Sequence, residues 1–184
     1  MVKEIWDGYN EKGELLGIDL IRGNSSPEGV YNLIASVLVK HADGDYLLMQ
    51  RDLSKTWSGF FEATAGGAVL KGETPEQGAI REVKEETGME ISAPILYKKT
   101  VNKDRKFIVH NYIAKTTSDK KSVTLQLGET MAYKWVNEQE LIEFIKSQDC
   151  MPSQAKAISD YLKNVNPKRR VHHEEITNRS RLSK

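Results

Sequence analysis

The sequence predicts a mixed α+β fold built around one main domain, and three observations support this. Short β-rich runs alternate with turn sequences, and three later segments show helical periodicity. The 184 residues, 39% hydrophobic and 29% charged, suit one soluble globular domain. The 27 basic and 26 acidic residues give a net charge of +1, which supports neither a polyanion-binding nor an acidic protein.

The N-terminal part is predicted to form a β-hairpin that precedes the main domain. Residues 5–23 carry short apolar stretches around a polar EKGE turn. We assign residues 1–27 to this extension and residues 28–165 to the main domain. The run NLIASVLVKHADGDYLLMQR, residues 32–51, then predicts two strands joined by a turn. Two roles stay open for the hairpin: a contact in a homodimer, or a cover for the edge of the sheet.

The clearest helix signal begins at Thr74, a suitable N-cap that is followed by Pro75 in the first turn. The helix should end near Thr87, where Gly88 supplies the stop. Its apolar stripe is predicted on the side away from its acidic residues and comprises Ala79, Ile80 and Val83.

Downstream segments alternate in the same way. Strands are predicted at residues 93–101, 106–114 and 130–136, and helices at 138–147 and 154–164. The last residues, 166–184, are polar and basic and predict a loosely held tail to which we assign no function.

Acidic residues are concentrated between Gly67 and Met89. Glu82, Glu85 and Glu86 are spaced by three and four residues, so a helix places them on one face. Clustered carboxylates repel one another unless some are protonated or a cation neutralises them. A site with oxygen ligands alone favours a hard divalent metal ion, either Mg²⁺ or Mn²⁺.

The same segment satisfies the pattern G x5 E x7 R E U x E E x G U, where U is a bulky apolar residue. This pattern resembles the signature of the Nudix hydrolases. A solvated helix face held by i,i+4 pairs is the alternative interpretation, but it requires neither the glycines nor Glu73 at these spacings. The resemblance implies an α/β/α sandwich, with a mixed β-sheet between helices.

The resemblance also implies roles for single residues. Glu82, Glu85 and Glu86 look like metal ligands, together with the carbonyl of Gly66. Arg81 and Glu73 resemble the pair that orients those carboxylates. The general base stays open between a helix glutamate such as Glu82 and a glutamate in a downstream loop. Glu129 is the loop candidate, and a plain exposed position is equally compatible with its sequence.

Aromatic and basic residues that precede this pattern in the chain are candidates for substrate binding. Trp57, Phe60 and Phe61 could stack on a substrate group, although aromatic residues entering a strand more often belong to the core. Arg51 could reach a phosphate from a strand end or be solvated. The pair Gly66-Gly67 allows the backbone to approach a ligand closely.

The wider sequence from Trp6 to Leu141 is similar to the Nudix branch related to isopentenyl diphosphate isomerase. That isomerase moves protons on carbon with a cysteine and a glutamate, and Ala65 stands at the place of its cysteine. We therefore expect a Mg²⁺-dependent hydrolase that cleaves a diphosphate linkage in a nucleoside diphosphate derivative by water attack at phosphorus. An isomerase-like enzyme and a non-catalytic nucleotide-sensing module are the alternatives.

Cysteine and histidine usage adds little chemistry. Cys150 is the single cysteine, so internal disulfides and a CxxC site are excluded, and a partly buried thiol is expected. His110, His172 and His173 show no metal-binding pattern. With no long apolar run, we expect a cytoplasmic protein that binds a small-molecule diphosphate, without nucleic-acid or membrane partners.

Overall fold

A computed structural model describes residues 3–63 and 65–165 of the chain, and these ranges contain nine strands and three α-helices. The strands are β1 Ile5–Tyr9, β2 Leu15–Ile21, β3 Asn32–His41, β4 Tyr46–Arg51, β5 Phe61–Glu62, β6 Ala65–Ala68, β7 Ile95–Asn102, β8 Phe107–Thr116 and β9 Thr130–Val136. The α-helices are α1 Pro75–Thr87, α2 Glu138–Phe144 and α3 Pro152–Val165. None of these helices is long and apolar enough to cross a bilayer. The predicted tail at 166–184 lies outside the described residues.

Helix α1 has the predicted bounds because its signals are local. The Thr74 hydroxyl accepts from the backbone N–H of Gln77, and the Gln77 side chain accepts from the Thr74 N–H, which completes a capping box. At the other end Gly88 adopts a left-handed conformation with φ of 70° and closes the helix onto the Lys84 carbonyl. Helix α2 ends three residues earlier than predicted.

The main sheet is seven-stranded in the described part of the chain. Strands β5-β4-β3-β8-β7 lie in that order, with β6 added on β3 and β9 on β4. The β3–β8 pair is parallel and the other pairs are antiparallel, so the sheet is mixed as predicted. A parallel pair needs a long crossover, and the chain between the two strands includes α1.

Strands β3 and β4 separate soon after their connecting turn. They are paired only where Lys40 faces Tyr46. Beyond that point β3 pairs with β6, whereas β4 pairs with β9 and β5. The sheet is therefore split at this end, and the split places β6 and β5 on either side of an opening.

Two apolar cores cover the two faces of the sheet, which confirms the predicted α/β/α sandwich. Because side chains alternate along a strand, Val37 and Leu47 face the core under α1, whereas Leu38 and Leu48 face the core under α2 and α3. All four side chains are at most 2% exposed.

The predicted apolar stripe of α1 is wrong at one position. Ala79, Val83 and Thr87 are completely buried, but Ile80 is 39% exposed. The buried residues follow a four-residue spacing, and Ile80 is rotated about 100° away from Ala79. Glu82 and Glu86 instead lie beside this stripe and are partly buried. The packing face and the acidic face therefore adjoin each other.

The N-terminal segment forms the predicted hairpin of β1 and β2, which pair in antiparallel fashion. It joins the main domain where the backbones of Tyr9 and Tyr31 exchange two hydrogen bonds of 2.8 Å. Its outer strand leaves several apolar side chains exposed, namely Leu15, Leu16 and Ile18. The homodimer contact remains a prediction.

Candidate active site

A cleft of about 410 Å³ lies at the split between β3 and β4. Its walls come from α1, the glycine strand β6, the ends of β4 and β5, the loop before β9, and the N-terminal hairpin. The acidic residues in this lining are Glu4, Glu62, Glu82, Glu85, Glu86 and Glu129, and the basic ones are Arg22, Arg51 and Arg81. The cleft thus collects carboxylates from four separate segments.

Arg81 contacts Glu73 through two parallel hydrogen bonds. Its Nε donates to Glu73 Oε1 at 2.7 Å and its Nη2 donates to Glu73 Oε2 at 3.0 Å. The backbone N–H of Leu70 also donates to Glu73, at 3.0 Å. The bonds from Arg81 are the main reason why the pKa of Glu73 lies below its ordinary value, and the same pairing raises the pKa of Arg81. The predicted pair is therefore present in the structure.

The remaining Arg81 nitrogen turns towards the helix carboxylates. Nη1 donates to Glu82 Oε1 at 2.7 Å and to Glu85 Oε2 at 3.1 Å, while Nη2 also donates to the carbonyl of Ala68 at 2.9 Å. A planar guanidinium can hold several acceptors in fixed directions. Arg81 therefore links Glu73, strand β6 and two helix carboxylates.

Glu86 has a different environment. One carboxylate oxygen accepts a 3.3 Å hydrogen bond from the Gly66 N–H. Burial, followed by the negative charges of Glu82 and Glu62, raises the pKa of Glu86 to about 8. Burial also raises the pKa of Glu82, although its bond to Arg81 opposes the shift. Near neutral pH Glu86 therefore favours a proton or a cation.

The two glycines of β6 are required for different reasons. A Cβ at Gly67 would lie 2.5 Å from Glu82 Oε1, so its absence leaves space for that carboxylate. A Cβ at Gly66 would lie 2.3 Å from the backbone carbonyl oxygen of Ala35 on β3. Gly67 thus makes room in the cleft, whereas Gly66 allows two strands to pair closely.

Arg51 is fixed at the end of β4 and is not simply solvated, since its side chain is 21% exposed. One guanidinium nitrogen is ion-paired with Glu62, and Nε donates to the Thr56 carbonyl at 2.8 Å. Gln154 of α3 donates to the other Glu62 oxygen at 3.1 Å. Arg51 and Glu62 therefore form a braced charge pair in the cleft wall.

Glu129 lies in the cleft lining, so the structure places it beside the helix carboxylates. Its side chain is ion-paired with Lys55, and its backbone carbonyl accepts from the Asp52 N–H at 2.9 Å. Its negative charge contributes to the raised pKa of Glu86. The loop after β4 and the loop before β9 are consequently joined at the rim of the cleft.

The aromatic candidates lie outside the described lining of the cleft. Trp57 is 49% exposed, with its ring edge against Phe60 at a centroid distance of 5.5 Å. The core interpretation is therefore wrong for Trp57, whereas Phe60 and Phe61 are partly buried. Trp57 also has a φ of 62°, an unusual conformation for a large side chain.

The cysteine and the internal histidine serve packing. Cys150 is buried as expected, its thiol faces the Met151 carbonyl, and burial raises its pKa to about 12. His110 is buried beside Tyr112, and burial lowers its pKa to about 4. His172 and His173 lie outside the described residues.

Glu62, Lys55 and the hairpin residues of the cleft were missed by sequence reasoning. Glu62 follows an aromatic pair and Lys55 follows a turn, so neither has a local signal for function. Their importance comes from the pairing of β4 with β5 and from the contact between two loops.

The donor set of the cleft fits a hard divalent cation, because it is all oxygen and because the Glu86 carboxylate is ionised at neutral pH only with neutralising help. Glu82 and Glu85 are directed to Arg81. Correspondingly, within residues 3–63 and 65–165 no three Asp, Glu, His or Cys side chains are already gathered as a metal-holding group. Cation binding would require these carboxylates to shift.

Comparisons with known proteins agree with this site. The NUDIX domain model matches residues 30–161. An uncharacterized Nudix hydrolase of Listeria monocytogenes is 32% identical over 151 residues, which is 81% of this chain and 89% of that protein. An isopentenyl-diphosphate Delta-isomerase of Corynebacterium diphtheriae is 44% identical over only 55 residues, 29% of this chain and 30% of that protein.

Solved structures share the fold. DR0079 from Deinococcus radiodurans superposes with a TM-score of 0.62 at 19% identity, covering 79% of this chain and 90% of that one. A MutT protein from Methanosarcina mazei superposes with a TM-score of 0.60 at 23% identity, covering 77% and 99%. Nudix hydrolases generally use divalent metals. The chain belongs to the Nudix family and is a hydrolase that acts on phosphorus-containing acid anhydrides.

Proposed function

We propose that this hydrolase depends on Mg²⁺ and cleaves the diphosphate linkage of a nucleoside diphosphate derivative by attack of water on phosphorus. The observation that carries the proposal is Glu86, a carboxylate whose pKa is raised to about 8 among neighbouring carboxylates of a cleft. A carboxylate with a pKa raised in this way, in a cleft, is a candidate for a functional site and is suited to a cation. The three arginines that line the cleft, Arg22, Arg51 and Arg81, suit an anionic substrate.

Glu82, Glu85 and Glu86 are proposed to hold the cation, together with the Gly66 carbonyl. Mg²⁺ there would lower the pKa of a bound water and neutralise charge on the leaving oxygen. Arg81 and Glu73 orient these carboxylates, since Arg81 bonds to Glu73 as well as to Glu82 and Glu85. The small size of the ion and its preference for oxygen favour Mg²⁺, with Mn²⁺ as a substitute.

The chemical step replaces one bond to phosphorus with another. Water oxygen forms a bond to phosphorus, the bridging P–O bond breaks, and two phosphate-bearing products result. The water gives its proton to a carboxylate, either Glu82 or Glu129. Glu129 could accept this proton because it lies at the rim of the cleft, where an ion pair with Lys55 fixes its position. Arg51 is proposed to bind a substrate phosphate, and the exposed Trp57 with Phe60 to contact a group beyond it.

The isomerase alternative has one observation in its favour, the short similarity to the Corynebacterium enzyme. Two features oppose it. Ala65 is 2% exposed on β6 and cannot transfer a proton. The Cys150 thiol belongs to the core under α2 and α3, and its pKa of about 12 makes it a poor acid near neutral pH.

A substrate screen tests the proposal. Nucleoside diphosphates, triphosphates, nucleotide sugars, dinucleotides and coenzymes are incubated with Mg²⁺ or Mn²⁺, and phosphate is measured after phosphatase coupling. Hydrolysis in ¹⁸O water should label one phosphate product, which identifies attack at phosphorus. Folded protein that releases no product from any compound with either metal contradicts hydrolysis, and tight binding without product then favours the sensing module.

A further inference from the structure

The N-terminal hairpin forms a wall of the cleft. Glu4, Trp6 and Arg22 all line it. The helix carboxylates Glu82, Glu85 and Glu86 line the same cleft, so the hairpin faces them across it. The position of the hairpin therefore gives it direct access to a bound substrate.

Several contacts fix this wall to the loop between β6 and α1. The Asp7 carboxylate accepts from the Gly72 N–H at 2.8 Å, and the Ile5 carbonyl accepts from the Lys71 N–H at 2.9 Å. Lys71 Nζ also donates to Asp19 at 2.6 Å. Because three contacts join the hairpin to the loop that carries Glu73, its cleft-facing residues have a defined position.

Among the basic residues of the described cleft lining, Arg22 is the most accessible. The side chains of Arg51 and Arg81 are each 21% exposed and have several partners. Arg22 is 58% exposed, and one of its nitrogens contacts Glu4 at 2.5 Å. A guanidinium has five N–H donors in a planar fork, so an exposed Arg22 can still bind an oxyanion.

Trp6 supplies a second observation in the same wall. Its indole N–H is shielded from solvent and has no hydrogen-bond partner among the described residues. Buried donors are normally paired, and an unpaired one calls for an explanation. Trp6 also lines the cleft, so an acceptor atom of a ligand could satisfy this N–H after a small shift of the hairpin wall opens it.

We propose that the hairpin wall, with Arg22 as its principal contact, binds an anionic group of the substrate beyond the two phosphates of the scissile linkage. The proposal rests on the proposed function and narrows its substrate class to compounds with a third phosphate or a phosphorylated distal group. Arg51, at the end of β4, is proposed to bind the scissile diphosphate, whereas Arg22 lines the cleft from the hairpin side. Arg22 is thus a specificity-determining residue, and Glu4 competes with the substrate for it.

Binding of inorganic pyrophosphate and inorganic tripolyphosphate, each with Mg²⁺, tests this subsite by calorimetry. R22A should weaken tripolyphosphate binding about tenfold and pyrophosphate binding less than about twofold, because only the longer ion reaches Arg22. E4Q should strengthen tripolyphosphate binding, since it removes the competing carboxylate. K103A is the matched control, since Lys103 forms a comparable exposed ion pair with Glu11 of the hairpin but does not line the cleft.

Equal weakening of both ions in R22A, or of neither, overturns the proposal. A thermal unfolding curve confirms that each variant is folded, and R22K provides a milder substitution that keeps the charge. Because these measurements need no turnover, they are independent of the substrate screen. Arg22-dependent tripolyphosphate binding in a protein that hydrolyses nothing would support the subsite and contradict the hydrolase mechanism.

Discussion

Glu73 and Glu86 belong to the same Nudix sequence pattern and lie in neighbouring parts of the site, but they differ in their hydrogen bonding and in the direction of their pKa shifts. Glu73 accepts two hydrogen bonds from Arg81 and one from the Leu70 N–H, and its pKa is lowered. Glu86 accepts one longer bond from the Gly66 N–H, and burial raises its pKa to about 8. The first carboxylate is satisfied within the protein, whereas the second needs a cation or a proton from outside.

Replacing Glu86 with Gln should give the largest functional effect. Turnover should fall by more than about 100-fold, because a proposed metal ligand is lost. Changes to residues that only contact a metal ligand typically cost about 10–100-fold. The free energy of unfolding should stay the same or rise, because a neutral amide can be buried among these carboxylates without taking up a proton or a cation. Steady-state hydrolysis with Mg²⁺ and urea denaturation measure the two effects.

E90Q is the control for this change. Glu90 lies just after the same helix, its side chain is 75% exposed, and it is ion-paired with Lys84 outside the cleft. The E90Q variant should therefore have the same turnover and the same free energy of unfolding as the unmodified protein. An E86Q enzyme with turnover close to that of the unmodified protein would show that the comparison with Glu73 has no functional meaning.

Replacing Glu73 with Gln should lower both activity and stability. A glutamine cannot accept both Arg81 bonds as a charged partner, so Arg81 loses its fixed direction towards Glu82 and Glu85. We expect the affinity for Mn²⁺, or turnover, to fall by about 10–100-fold. The free energy of unfolding should fall by about 1–3 kcal/mol, since Arg81 is left under-satisfied. Loss of activity without loss of stability would contradict the bracing role.

The pH dependence of stability should separate the two carboxylates in protein kept metal-free with EDTA. Folded Glu86 retains a proton up to about pH 8, whereas in the unfolded chain it is lost near 4.5. The folded state thus binds more protons between these values, and its stability falls as pH rises through that window. Between about pH 5.5 and 7.5 Glu86 should contribute a loss of about 2 kcal/mol, measured as the difference between the unmodified protein and E86Q. The difference is needed because buried His110, whose pKa is lowered to about 4, acts in the opposite direction up to about pH 6.5 in both proteins.

The lowered pKa of Glu73 acts in the opposite direction and at lower pH. Its stabilising contribution is present above the unfolded pKa and is lost only as pH falls below about 4.5. Urea denaturation across the pH series should therefore show stability falling above about pH 6.5, beyond the range in which His110 opposes the change, and E86Q should lack this fall whereas E73Q retains it. An identical limb in E86Q would assign the titration to another group.

Local sequence signals predicted α1 well, and long-range pairing explains what they could not predict. Thr74 and Gly88 fix the ends of the helix through contacts within a few residues of each other. Glu62 and Lys55 are placed by strands and loops that meet only in the folded chain, so no spacing in the sequence reveals them. Ile80 was misassigned because the apolar pattern alone does not say which edge of a stripe faces the sheet.

The glycine pair offers the smallest and most selective test. G67A places a Cβ 2.5 Å from a Glu82 oxygen, which is the mobile end of a side chain, so Glu82 should move aside. Stability should change by less than about 1 kcal/mol, while turnover falls by about tenfold because a carboxylate is misplaced.

G66A instead directs a Cβ at the Ala35 backbone carbonyl, which cannot move without disturbing β3. It should destabilise the protein by about 1–3 kcal/mol in the same urea assay. Equal losses of stability in G66A and G67A would mean that the Glu82 carboxylate is held as rigidly as the sheet and does not move aside.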